Sequence, residues 1–149
     1  MFEIKYILSK VNLSDAAKAE EIELRYYYFL GNLTLRDGNN FILMDWEWIP
    51  ILDFALCLLV IYESLSQIND GREEFTFTES DSAILFYKSG NTIKISFSFL
   101  DDVLEMSFAD FQSGCEIFCG ELFSDIVSRE PALKNNDTIA KLLKMPGES

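Results

Sequence analysis

The sequence predicts an α+β fold, in which an antiparallel β-sheet, made of a hairpin and a meander, packs against two main helices on one side. Short runs of alternating apolar and polar residues, separated by turn residues, are typical of antiparallel strands. Two longer segments, residues 49–67 and the segment that follows Ser107, have the pattern of helices. Because 149 residues is a usual length for one domain, we expect a single domain over residues 1–149.

The first half of the chain predicts strands around a tight turn. Residues 2–8 predict a strand, and apolar or aromatic residues occupy alternate positions over residues 22–30. The alternation changes parity after Gly31-Asn32, so we predict one long strand with a bulge there. Residues 37–40 (Asp-Gly-Asn-Asn) predict a hairpin turn, and residues 41–46 the returning strand.

Residues 49–67 predict a helix that is buried on most sides, because nearly every position is apolar. Pro50 suits its first turn, where a missing N–H costs nothing. Asp53 also falls in that turn, where the helix dipole favours an acid, and we prefer this role to that of a buried functional acid. The segment 93–99 is the clearest half-buried strand that follows, and Asp101-Asp102 is expected to end it before a short last strand.

The second main helix is predicted to begin at Ser107, with Asp110 completing a start of the capping-box type. Apolar residues then recur at spacings of three and four. Pro131 is expected to end this helix. Residues 137–145 predict a short terminal helix.

The three cysteines, Cys57, Cys115 and Cys119, lie inside apolar helical patterns. Their odd number predicts reduced core thiols and a reducing compartment. No signal peptide is visible, and the apolar stretch at residues 49–62 is shorter than the roughly 20 residues of a membrane span. We therefore expect a soluble, cytoplasmic protein.

The charge of the chain is strongly negative, with 25 acidic against 12 basic residues and a net charge of −13. Such a surface repels nucleic acids and anionic membranes, so neither is expected as a partner. It attracts a basic partner and accelerates the encounter with it. Solubility is an equally simple reason for net negative charge.

The chain contains no histidine, which excludes Ser-His and Cys-His nucleophiles, a histidine base and histidine metal ligands. It also lacks the glycine-rich loops that hold phosphates. Cys115 and Cys119 share one helical face, but a four-thiolate metal site would need a fourth cysteine. We therefore predict a binding protein without a cofactor or a metal. An enzyme with two catalytic carboxylates is the alternative, although close acidic pairs arise by chance in so acidic a chain.

Two features are candidates for binding a partner. Residues 101–125 contain seven acids and no Lys or Arg, and the acids selected as partner-binding residues are Asp101, Asp102, Glu105, Glu116 and Glu121. A solvated strand and helix face would explain the same run. Trp46 and Trp48 alternate with two acids just before the buried helix. Strand parity would place both indoles in the core, whereas a position at the rim would make them anchors for a partner.

Several segments together give a resemblance to a known class of protein. They are residues 30–35 (Leu-Gly-Asn-Leu-Thr-Leu), the hairpin, residues 45–48 (Asp-Trp-Glu-Trp), residues 50–55 and the helix start at residues 107–111. In this layout the chain resembles the small immunity proteins of bacterial polymorphic toxin and contact-dependent growth inhibition systems. The resemblance implies a stoichiometric inhibitor that binds a toxin domain in the cytoplasm, often a nuclease with a basic surface.

The sequence therefore favours an immunity protein that occludes the cationic active-site surface of a basic toxin domain. An acidic regulatory protein or nucleic-acid mimic of the anti-restriction type is the alternative, and it predicts carboxylates spaced like phosphates along an elongated surface. A monomer and a homodimer are both compatible with the sequence, because the apolar helix could also cover a dimer interface.

Overall fold

The computed structural model describes residues 1–144, in which seven strands form two antiparallel sheets. The first sheet has the order β1-β2-β3 and the second the order β4-β5-β6-β7. The strands are β1 (Phe2–Leu8), β2 (Leu30–Asp37), β3 (Asn40–Pro50), β4 (Asp70–Thr76), β5 (Ala83–Ser89), β6 (Thr92–Phe97) and β7 (Leu100–Ser107). The α+β prediction is confirmed, but the strands divide between two sheets that meet where β7 contacts β2 and β3.

Two long helices accompany the sheets, as predicted. The α-helices are α1 (Glu21–Glu23), α2 (Ile51–Ser66), α3 (Phe108–Arg129) and α4 (Asp137–Ala140). A π-helical turn (Leu24–Tyr28) continues α1, and 3₁₀ turns occupy Ala16–Lys18, Pro131–Asn135 and Lys141–Leu143. The terminal helix predicted over residues 137–145 is thus an α-helical turn followed by a 3₁₀ turn, and residue 145 lies outside the described residues. Among residues 1–144, no helix is both long enough and apolar enough to cross a bilayer.

The ends of the long helices follow local signals in the sequence. Pro50 precedes the first residue of α2 and occupies its N-cap position, one residue earlier than predicted. The Ser107 hydroxyl accepts a hydrogen bond from the Asp110 N–H at 3.1 Å and caps α3. At its other end, α3 stops at Arg129, two residues before Pro131, which confirms the prediction.

The core lies between the two long helices and the buried faces of the sheets. Eleven of the 16 residues of α2 are buried, which confirms that this helix is covered on most sides. The Phe54 ring of α2 lies 5.1 Å from the Phe75 ring of β4 and 6.0 Å from the Phe118 ring of α3. One aromatic cluster therefore joins α2, α3 and the second sheet.

The prediction of a strand over residues 22–30 was wrong, because the chain is helical until Tyr28 and β2 begins only at Leu30. Glu20 and Glu23 form a reciprocal capping box that starts α1. The π-helical turn then buries Leu24 and the adjoining Phe29, while Tyr27 remains 69% exposed. The alternating tyrosines resemble a strand because aromatic residues favour strands, but long-range contacts decide the local structure here.

Asp101-Asp102 does not end a strand, as the sequence suggested, but lies inside β7. The turn comes earlier, because Phe97 pairs with Leu100 and leaves Ser98 and Phe99 between them. The Phe99 ring packs against Trp46, with the ring centroids 4.9 Å apart. A contact with a distant part of the chain therefore withdraws Phe99 from the alternating pattern.

A register shift does occur at Gly31/Leu33, where the bulge was predicted, but the extra residues belong to β3 and not to one long strand that contains Gly31-Asn32. Gly31 pairs with Ile49 and Leu33 pairs with Met44. A single residue of β2, Asn32, therefore faces residues 45–48 of β3. Gly31 is required because a Cβ at this position would overlap the carbonyl oxygen of Ile7 in β1.

Candidate binding site

The bulge in β3 forces Glu47 into an unusual backbone conformation. Its φ is +66°, and it is the one non-glycine residue with a positive φ among residues 1–144. The Glu47 N–H donates to Asn32 Oδ1 at 2.6 Å, and the Ser9 hydroxyl donates to the Glu47 carbonyl at 3.2 Å. The left-handed region costs a non-glycine residue about 1–2 kcal/mol. Two hydrogen bonds thus hold a conformation that the residue itself disfavours.

The bulge presents Trp46 and Trp48 as a stacked pair. Their ring centroids are 5.3 Å apart and their planes differ by 15°. The Phe77 ring meets both indoles edge-on, at 5.3 and 5.9 Å. Both indoles are half-buried. The two positions considered from the sequence, core and rim, are therefore combined, because one part of each indole packs inward and the other remains open to solvent.

Beside this pair is a recess of about 370 Å³, which we call the aromatic recess. Three aromatic side chains line it, and the full lining consists of Tyr26, Tyr27, Leu30, Trp48, Pro50, Thr78 and Glu79. Leu30 and Pro50 are paired at the ends of β2 and β3. Three separate segments of the chain therefore build this one concave surface.

A buried ion pair anchors the π-helical turn that carries the two tyrosines. The Arg25 Nε lies 2.6 Å from Asp53 Oδ1, and Asp53 is only 3% exposed. Arg25 also bonds to Glu21 Oε2 at 3.1 Å and to the Cys57 Sγ at 3.4 Å. Burial by itself would lower the pKa of Arg25, but the hydrogen bond and charge of Asp53 outweigh burial and raise it. Asp53 lies in the first helical turn as predicted, and it is a buried partner of Arg25 in addition.

The two other polar side chains of this cluster are uncharged near neutral pH. Burial, and next the Asp53 carboxylate, raise the pKa of Tyr26. The same two causes raise the pKa of Cys57 to about 11. Cys57 is therefore a protonated thiol rather than an activated nucleophile.

Exposed carboxylates occur on both segments that frame the tryptophans. Asp45 and Glu47 flank Trp46 in sequence, and the loop after Phe77 carries Glu79 and Asp81. Within the described part of the chain, none of these four carboxylates takes part in an ion pair or a side-chain hydrogen bond. Residues 37–71 and 73–87 contain no Lys or Arg. The recess thus combines aromatic walls with negative charge and suits a cationic group.

The five acids selected from residues 101–125 do not meet on one surface. Glu105 alternates with the buried Leu104 and Met106, so it faces outward from the second sheet, where it lies opposite Lys94 of β6. Asp101 is exposed at the irregular start of β7. Asp102 lies at a cleft formed with residues 39–42. Glu116 and Glu121 lie on α3, which packs against the opposite, buried side of that sheet. A run of acids along the chain is therefore spread over two sides of the fold.

Sequence reasoning identified Trp46 and Trp48 but missed the tyrosines and Glu79. The strand predicted over residues 22–30 would turn the adjacent residues Tyr26 and Tyr27 to opposite sides. Residues 37–71 were base-free and acidic in the same way as residues 101–125, and this signal could have directed attention to the bulge. Glu79 reaches the recess only through tertiary contacts, so the residues around it in the sequence give no signal of this position.

Cys115 and Cys119 are buried free thiols in α3, as the helical pattern predicted. Burial raises the pKa of Cys119 to about 12 and raises that of Cys115 well above its ordinary value, so both thiols are neutral. Across residues 1–144, no group of three or more cysteine or carboxylate side chains is placed to hold a metal ion.

Comparison with protein-family models, with curated protein sequences and with solved structures found no match to this chain.

Proposed function

We propose that this chain is an immunity protein that binds a basic toxin domain, such as a nuclease that acts in the cytoplasm, and neutralises it by covering its cationic active-site surface. The observation that carries the proposal is the aromatic recess, which combines three aromatic walls with the exposed carboxylate of Glu79. The basic residue next to its tyrosines, Arg25, is already paired with Asp53 and Glu21. Partly exposed tryptophan and tyrosine side chains are the residue types that most often dominate binding energy at protein interfaces.

Two walls of the recess are held by contacts within the chain before any partner arrives. Trp48 stacks on Trp46 and meets the edge of Phe77, and the turn with Tyr26 is anchored by the Arg25–Asp53 pair. A rigid surface loses little conformational entropy on binding, so more of the contact energy is retained as affinity.

The proposed mechanism is occlusion and includes no chemical step by this chain. A nuclease holds the phosphate backbone with Lys and Arg side chains. Carboxylates such as Glu47 and Glu79 would pair with those side chains, and the indoles would exclude water around them. The absence of histidine supports a binding role over catalysis.

The acids on β7 and α3 have a second role in this proposal. Asp101, Asp102, Glu105, Glu116 and Glu121 contribute to the field of a chain with net charge −13. Such a field accelerates the encounter with a basic partner, and salt screens it over about 10 Å. We therefore expect these acids to affect the association rate and the aromatic recess to affect the dissociation rate.

The direct experiment is to co-purify the chain with the product of the gene immediately upstream and to measure affinity by calorimetry. We expect a nanomolar complex that suppresses the activity of the toxin. Trp48→Ala should weaken it by about 30-fold or more, as for a central aromatic anchor. Tyr87→Ala is the matched control, because Tyr87 is a half-buried aromatic residue on the outward side of β5.

Failure to form a nanomolar complex with the upstream product would remove the proposal. An equal loss of affinity in both variants would show that the aromatic recess is not the binding surface. Circular dichroism of both variants separates lost binding from lost folding.

A further inference from the structure

We propose that the aromatic recess receives one arginine side chain of the partner, which inserts between Tyr26, Tyr27 and Trp48 and pairs with Glu79. This inference rests on the proposed function, since it identifies the group that the partner presents. The recess is the concave surface to which both the bulge and the π-helical turn contribute.

The lining favours a cation over a neutral group. Three aromatic rings attract a cation through their negative faces, and Glu79 supplies a full negative charge at the same recess. The nearest basic residue along the chain, Arg25, already bonds to Asp53 and Glu21, so its charge is compensated. An incoming cation thus meets no uncompensated positive charge in the lining.

Arginine fits this lining better than lysine. Its guanidinium is planar, so one face can stack on an aromatic ring while the edge donates two hydrogen bonds to a carboxylate. It is also more weakly hydrated than an ammonium group and loses less on entering an apolar recess. Leu30 and Pro50 offer apolar surface to the methylene stem of the same side chain.

The test uses a small probe and the full chain. Acetyl-Gly-Arg-Gly-amide is titrated against the labelled protein while the two indole N–H signals are followed by NMR, with Trp46→Phe assigning them. We expect a saturable shift that is larger for Trp48 than for Trp46. The lysine analogue should bind about threefold more weakly, and the uncharged citrulline analogue, which retains the shape, about tenfold more weakly.

Two variants locate the carboxylate. Glu79→Gln keeps the size of the side chain but removes its charge, and it should weaken the binding of the arginine probe by about fivefold or more. Glu63→Gln makes the same substitution at an exposed position in the last turns of α2, far from the recess at the start of this helix, and should change the affinity by less than about twofold. Equal affinity for the arginine and citrulline probes, or an unchanged affinity in Glu79→Gln, would overturn the inference.

The outcomes for the recess and for the proposed function are distinguishable. A nanomolar toxin complex without any response to the arginine probe would retain the immunity role and remove arginine as the group in the recess. A specific response to the arginine probe without a toxin complex would retain the recess as an arginine site and remove the immunity role.

Discussion

Two acidic regions of this chain are built in opposite ways. The bulge region, which comprises residues 21–32 and 45–57, includes irregular backbone, a buried ion pair and a stacked tryptophan pair. The β7–α3 region, residues 100–129, consists of a strand that pairs regularly from Val103 onward, after the two unpaired residues Asp101 and Asp102, and of one regular helix. The first region helps to form a single recess, whereas the second distributes its acids over two sides of the fold. Closeness along the chain therefore does not predict a common surface.

The reason for the difference is geometrical. A regular strand turns successive side chains to opposite faces, and a helix places them around its whole circumference. The bulge inserts residues 45–48 opposite the single residue Asn32, while Trp46 and Trp48 keep the parity of the buried Ile42 and Met44. The recess forms because this end of β3 lies beside the π-helical turn and the loop with Glu79, so packing between segments brings its aromatic and acidic groups together.

The largest expected difference between the regions comes from substituting a glycine by alanine in each. A Cβ at Gly31 would overlap the Ile7 carbonyl and lie 3.1 Å from the Leu8 Cα, so β1 and β2 would have to separate. We expect Gly31→Ala to lower the unfolding free energy by roughly 3 kcal/mol or more. In α3, a Cβ at Gly120 would meet no atom within 4 Å. Gly120→Ala should therefore raise the unfolding free energy by up to about 1 kcal/mol, because alanine favours a helix more than glycine does. Urea unfolding followed by tryptophan fluorescence measures both, and equal midpoints would contradict the expectation.

The next comparison removes one arginine from each region. Arg25→Met leaves the buried carboxylate of Asp53 without its partner, and we expect the unfolding free energy to fall by about 3 kcal/mol. Arg129→Met breaks a pair with Asp125 in which both side chains are substantially exposed, and the loss should stay below about 0.5 kcal/mol. The double variant Arg25→Met/Asp53→Asn should recover part of the first loss. Similar losses for the two single variants in thermal unfolding would show that burial of Asp53 is unimportant.

Replacing one glutamate by glycine in each region should change the stability by smaller amounts and in opposite directions. Glu47→Gly removes the cost of a left-handed φ and should stabilise the fold by about 0.5–1 kcal/mol. Glu105→Gly, in the regularly paired part of β7, should destabilise it by up to about 1 kcal/mol. Denaturant midpoints at constant slope measure both changes. Destabilisation by Glu47→Gly would mean that the bulge is not strained.

The smallest effect concerns acid pH. Hydrogen bonds from Lys141 and Arg25 lower the pKa of Glu21 from its ordinary value of 4.5. Because the folded-state pKa is the lower one, the stability from Glu21 is present above pH 4.5 and is lost as the pH falls through the folded-state pKa. Because the Glu21 side chain is well exposed, we expect it to contribute less than about 0.5 kcal/mol to the unfolding free energy. The stability difference between wild type and Glu21→Gln, measured from pH 7 to pH 3, should shrink over this range, and a constant difference would refute the prediction.

Much of the fold could be predicted because its signals are local. The turn at residues 37–40 places Gly38 in the left-handed region, and Ser107 caps α3. Each of these features depends on a few adjacent residues whose steric and hydrogen-bonding preferences agree with the final structure.

The errors occurred where distant contacts override local preference. Residues 22–30 have the alternation of a strand, yet the pair between Arg25 and Asp53 and the burial of Leu24 stabilise a helical turn. Phe99 has the parity of β6, yet it leaves the strand to pack on Trp46. Local propensity in strands is weak enough for such contacts to decide the outcome.

The sequence by itself determined the net charge, the absence of imidazole chemistry, the two long helices and the hairpin turn at residues 37–40, because these depend on composition or on neighbouring residues. Only the tertiary structure decided that Tyr27, Trp48 and Glu79 line one recess and that the acids of β7 and α3 do not share a surface. The physical reason is that periodicity states which side of its own element a residue occupies, whereas the packing of elements decides which sides face each other.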